Sequence, residues 1–144
     1  MIRPATETDL PGLLGLYAEL HPDDPPLSAE RGVAIWRRIA DQPGREILVA
    51  DSGDAIIGTV DCSIHANLTR SGRPFMLVEN VVVAAARRRT GVASRLFEAV
   101  VDLALREDCY KVQLISRSDR ADAHAFYRSC GFDAVAEGYR RYFR

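Results

Sequence analysis

Three places in this 144-residue chain combine residue types that could do chemistry. The first is Arg87-Arg88-Arg89-Thr90-Gly91-Val92-Ala93, set between an apolar run and a helical pattern. A helix start exposes backbone N–H groups with no internal partner, and the positive end of the helix dipole lies there. Arginines add formal charge, and a glycine lets the backbone approach a bound group closely. That combination suits an anion such as a phosphate. The alternative is a solvated basic turn whose glycine eases entry into the helix.

The second place is Glu79-Asn80, which interrupts the hydrophobic stretch before the arginines. A carboxylate in a buried strand must find a partner or raise its pKa. A raised pKa suits a general base working near neutrality. The alternative is a carboxylate paired with an arginine across a sheet. Asn80 reads as the structural neighbour. The third place is Tyr127, beside Phe126 on an apolar helical segment. A phenol stays protonated at neutral pH and can donate its proton. Core packing is the competing role for such an aromatic pair.

The elements that must position these residues follow from periodicity and turn residues. A strand is predicted at 2 to 5. A helix through Leu10, Leu13, Leu14, Tyr17 and Leu20 follows, capped by Thr8 or Asp9. Ser28 starts a second helix, through Val33, Trp36 and Ile39. Two strands then flank the turn at Ser52-Gly53-Asp54, and a fourth runs over about 74 to 83. A helix spans about 91 to 107 with Arg95, Glu98, Asp102 and Arg106 on its outer face. A fifth strand covers 111 to 116. A short helix ends at Gly131, and two closing strands flank Gly138. The expected fold is a single α/β (α+β) domain over 1–144. Its mixed, mostly antiparallel sheet is flanked by helices.

Bulk properties exclude several classes. Net charge is −1, so nucleic acid is not an expected partner. No apolar run approaches 18 residues, and no membrane span is expected. Cys62, Cys109 and Cys130 show neither metal-ligand spacing nor a CxxC pair, so no metal and reduced, cytoplasmic thiols are expected. His21, His65 and His124 read as surface or packing residues.

Arg88-x-x-Gly91-x-Ala93, directly after a hydrophobic strand, resembles the acetyl-CoA signature of the GNAT acetyltransferases, (Arg/Gln)-x-x-Gly-x-(Gly/Ala). The stretch DAHAFYRSCGF at 122 to 132 is similar to that family's later Ala-x-x-(Phe/Leu)-Tyr motif before a Gly-Phe. The element order resembles the family fold over essentially the whole chain. Acetyl-CoA is then implied as co-substrate. Backbone amides of Arg88, Arg89, Thr90, Gly91, Val92, Ala93 and Ser94 would hold its pyrophosphate. Val81, Val82 and Val83 would pair with the pantetheine arm, where the sheet splays between strands four and five. Glu79 would act as base, directly or through water, and Tyr127 would protonate the thiolate. Ala93 stands where the family also accepts Gly, and Arg120 stands where Asn is frequent.

The resemblance implies an N-acetyltransferase acting on a small primary amine, with a homodimer as an expected assembly. Asp23 and Asp24 could attract a cationic acceptor, while Arg70, Arg73, Arg140 and Arg141 could hold an acidic one. Cys109-Tyr110-Lys111 with the later Cys130-Gly131-Phe132 is similar to the glucosamine-6-phosphate branch of the family. A protein lysine or N-terminal acetyltransferase and a non-catalytic CoA-binding module remain open.

Overall fold

Five strands form: β1 (Ile2–Pro4), β2 (Arg45–Asp51), β3 (Ile56–His65), β4 (Phe75–Val83) and β5 (Val112–Leu114). They lie in one sheet in chain order, with β1 to β4 antiparallel. At the start of β5 the Tyr110 N–H donates to the Pro74 carbonyl, and the Met76 N–H donates to the Lys111 carbonyl. These bonds advance in the same direction along both segments, as parallel neighbours do, so the sheet is mixed. The sheet is also open. β4 has nine residues and β5 three, so the end of β4 runs past β5.

The computed structural model describes residues 1–143, which divide into two compact units, Met1–Gln113 and a smaller one from Leu114 onward. In the first unit, α1 (Leu10–Leu20) and α2 (Ala29–Ala40) cover one face of the sheet. There Leu13, Trp36, Ile47 and Val49 form a buried cluster. The Ser28 hydroxyl caps α2 by accepting from the Arg31 N–H at 3.2 Å, and Pro11 lies in the first turn of α1, both as the sequence predicts. The start of α1 differs. A 3-10 turn, Glu7–Asp9, precedes it, and Thr6 with Asp9 forms the cap.

The other face carries α3 (Val92–Arg106), which buries Leu96, Phe97 and Val100 and leaves the four predicted charges outside. Gly58 on β3 sets how close α3 sits. A Cβ there would lie 3.0 Å from Val92 Cγ1 and 3.2 Å from Leu96 Cδ1.

The second unit contains α4 (Ala121–Ser129), closed by Gly131 at φ +88°. The two closing strands expected around Gly138 do not form among the described residues. The alternation in this segment is real, but an isolated pair of strands has no stability of its own without further neighbours. Val135, Tyr139, Tyr142 and Phe143 are each more than four-fifths exposed.

One ion network fastens the N-terminal strand. The Arg3 guanidinium holds Asp9 at 2.7 and 2.9 Å and Asp51 at 3.0 Å. Hydrogen bonding from Arg3 pulls the buried Asp9 carboxyl down to about 2. A depressed carboxyl contributes stability that is complete above its unfolded value, near 3.8, and lost as pH falls through about 2. The unfolding free energy of the wild type should therefore fall between pH 4 and pH 2. In Asp9→Asn that part of the pH dependence should be weaker, as denaturant titrations at stepped pH would show.

Candidate functional site

β4 is not a plain strand. Glu79 lies opposite Asp61 of β3, and Val82 lies opposite Thr59. Two residues, Asn80 and Val81, therefore face the single residue Val60. Asn80 has φ +51°, the left-handed conformation that asparagine tolerates better than most residues. This is a β-bulge, a local bend with one residue left over. Its sequence signal was the asparagine inside an otherwise apolar run.

The bulge corrects the reading of Glu79. Its side chain is exposed, where the sequence reading expected it buried in the strand. The strand turns at the next residue, and the cover over β4 stops short of the carboxylate. Glu79 remains an accessible carboxylate at the bend. Val81, Val82 and Val83 follow it, Val82 buried and the other two half-buried.

β4 leads into a loop. The Ala84 N–H donates to the Ile57 carbonyl at 2.8 Å, and the Ala85 N–H donates to Glu19 Oε1 of α1 at 2.9 Å. The Thr90 hydroxyl donates to the Arg87 carbonyl. Arg87, Arg88 and Arg89 are exposed. Arg89 and Gly91 both take left-handed backbone, at φ +63° and +84°. Gly91 is the residue before α3, and no side chain caps that helix. The first intrahelical bond described there runs from Arg95 N–H to the Gly91 carbonyl. The N–H groups of Val92, Ala93 and Ser94 thus head the helix beside three arginines, which is the chemistry of an anion site. Gly91 has a stronger reason than close approach, because its conformation is strained for any other residue type. Glu19, which anchors the loop, left no signal in the sequence.

In the second unit Tyr127 is half-buried, with edge-to-face contacts to Phe126 and Phe132. Burial pushes its phenol above the usual range, and neighbouring Cys130 adds to this while Arg120 opposes it. The packing role and a protonated phenol therefore coexist in one residue. His124 Nε2 lies 2.7 Å from the Arg117 carbonyl, which ties α4 to the preceding loop. Arg120 stands at the helix start and is exposed.

Polar residues outside the sequence reading also gather on the α1–α2 face. Asp61, 4% exposed, accepts from Arg45 Nε at 2.9 Å and from Nη2 at 2.6 Å. Tyr17 of α1 lies close enough that burial first, and Asp61's charge second, push its phenol up to about 12. Among the described residues no His, Cys, Asp and Glu group could hold a metal ion. No helix among them is long and apolar enough to cross a membrane.

The sequence pattern of the acetyltransferase (GNAT) family matches residues 13–132. Glucosamine 6-phosphate N-acetyltransferase 1 from Oryza sativa subsp. japonica is 32% identical over 136 residues, covering 91% of this chain and 79% of its own. Glucosamine 6-phosphate N-acetyltransferase from Trypanosoma brucei brucei is 30% identical, with coverage of 92% and 88%. A solved chain from Agrobacterium tumefaciens str. C58 superposes with a TM-score of 0.96 at 37% identity, over 99% of each chain. The bulged strand, the uncapped glycine-headed helix and these likenesses agree: the chain belongs to the GNAT acetyltransferase family and is an acetyl-CoA-dependent acyltransferase.

Proposed function

We propose that the protein moves the acetyl group of acetyl-CoA directly to the primary amine of an amino-sugar phosphate or a similar small anionic amine. The observation that carries this is the start of α3, where unshared N–H groups, three arginines and a left-handed glycine converge. The names of the curated relatives support the acceptor class. Residues 1–144 act as one acetyltransferase domain, since the family match runs through both compact units.

In this reading the residues from Arg88 to Ser94 hold the pyrophosphate. The backbone of Val81 to Val83 pairs with the pantetheine arm along the edge that β4 extends past β5. Glu79, exposed at the bulge, takes the proton of the attacking amine, directly or through water. The nitrogen attacks the thioester carbonyl, the tetrahedral intermediate collapses, and the thiolate leaves with a proton from Tyr127. A phenol raised by burial keeps that proton at working pH. The three cysteines are free, which supports a cytoplasmic setting. The exposed side chains of Val135, Tyr139, Tyr142 and Phe143 support a homodimer that covers them.

Gly91→Val places a β-branched residue in left-handed backbone, a strain of about 1–3 kcal/mol. Acetyl-CoA affinity should fall about tenfold or more, read by calorimetry, and an unchanged affinity would remove the site from this helix start. Glu79→Gln should lower kcat by roughly 10²–10⁴-fold on the neutral plateau. Tyr127→Phe keeps the ring and should lower kcat with little effect on acetyl-CoA binding. Wild-type turnover in either variant, with chemistry rate-limiting, would strip that residue of its role. Sedimentation should give a dimer, and replacing Tyr139 and Tyr142 with serine should shift it towards monomer.

A further inference from the structure

Two helical starts follow β4, and they are finished differently. α3 begins after Gly91 with no side chain capping it. The 3-10 turn before it, Ala85–Arg87, begins after Ala84, whose own side chain has no acceptor to offer. The first N–H of that turn, on Ala85, instead donates to the Glu19 carboxylate at 2.9 Å, from a residue 66 positions earlier in the chain. Glu19 lies in the last turn of α1, so the bond crosses from that helix to the loop.

The capped turn is bonded to residues proposed to hold the pyrophosphate. The Arg87 N–H donates to the Ala84 carbonyl at 2.8 Å, and the Arg88 N–H donates to the Ala85 carbonyl at 3.5 Å. The Arg87 carbonyl accepts from the Thr90 hydroxyl. Arg88 and Thr90 are thus both tied to the turn, and a shift of its first residue is passed on to them.

The bond could serve stability, charge balance or position. Glu19 and Ala85 are both exposed, so water replaces either partner readily and the bond adds little to global stability. Among the described residues no salt bridge joins Glu19 to an arginine. A negative charge near an anion site would by itself weaken the anion's binding. Position is what remains. We infer that Glu19 is a positioning residue for acetyl-CoA: by holding the Ala85 N–H it fixes the turn to which Arg88 and Thr90 are bonded, and so sets the loop for the pyrophosphate. The inference rests on the pyrophosphate reading above and adds to it a residue of α1, outside the stretch from Arg88 to Ser94.

The two properties of Glu19 act in opposite directions, which gives the test a sign. Losing the charge favours an anionic ligand, and losing the acceptor disfavours it. Calorimetry with acetyl-CoA compares the wild type with Glu19→Gln, which keeps an oxygen for the bond, and Glu19→Ala, which does not. Glu19→Ala should weaken binding about threefold to tenfold, the worth of one ordinary hydrogen bond, with KM for acetyl-CoA rising alike and kcat at saturation changing much less. Glu19→Gln should stay within about twofold of the wild type, and the denaturant midpoints of all three should agree. Ala85→Pro removes the donor, and Ala84 at φ −51° and ψ +136° already has the backbone that a residue before proline takes. In that background Glu19→Ala should no longer weaken binding, since the pair acts as a unit. A loss as large in Glu19→Gln as in Glu19→Ala, tighter binding in Glu19→Ala, a lowered midpoint with unchanged affinity, or the same loss in the Ala85→Pro background each overturns the inference. Gly91→Val runs alongside. If it weakens binding and Glu19→Ala does not, only the role of Glu19 falls. If it leaves the affinity unchanged, the pyrophosphate reading falls and the role of Glu19 falls with it.

Discussion

One backbone constraint organises the site: the left-handed turn of Asn80 within β4. Side chains along a strand alternate between faces, so residues three apart ordinarily point opposite ways. The extra residue at Asn80 breaks that rule. Glu79 and Val82 both stand opposite residues of β3, Asp61 and Thr59, that share the α1–α2 face. Without the bulge, the carboxylate and the run of valines after it would have mismatched faces. With it, β4 presents a carboxylate to one layer, bends, and delivers the chain to the start of α3.

The loop before α3 is held from α1 and from the sheet. Glu19 of α1 reaches the Ala85 N–H, and the Ala84 N–H returns to Ile57 of β3. Thr90 closes onto Arg87 within the loop. Two of these bonds reach partners far away in sequence and one is local, and together they tie down the segment from 84 to 90. The arginines are left exposed and uncommitted to the core. The loop is thus shaped by backbone groups, a hydroxyl and the Glu19 carboxylate, while its arginines are left outward.

Legibility in the sequence followed the range of the interaction. Local signals were readable: Ser28 as a cap, the Ser52-Gly53-Asp54 turn, the outer face of α3 and Gly91 at its head. The succession of the first five strands and four helices along the chain was readable too, from periodicity and turn residues. The exposure of Glu79 was not, because a bulge is a property of two strands in register and one strand's residues do not reveal it. Neither was the Arg45–Asp61 pair, which joins residues 16 apart in the chain. Tyr17 looked like one more apolar position of α1, since nothing in its own helix shows what its hydroxyl meets. The closing strands failed for the opposite reason. Their alternation is local, but a ladder needs a neighbour.

Gly58 sits 33 residues before Gly91 and makes no contact with an anion, yet it governs that site. It leaves no side chain between β3 and the first turns of α3, where Val92 and Leu96 press against the strand. The helix end is therefore located by hydrophobic contact with the strand beneath. A group held in place beforehand needs little ordering on binding, the condition under which binding energy appears as affinity and is not consumed in arranging the protein. A single hydrogen atom in place of a side chain, on the strand beneath, thus fixes where the head of α3 and its N–H groups lie.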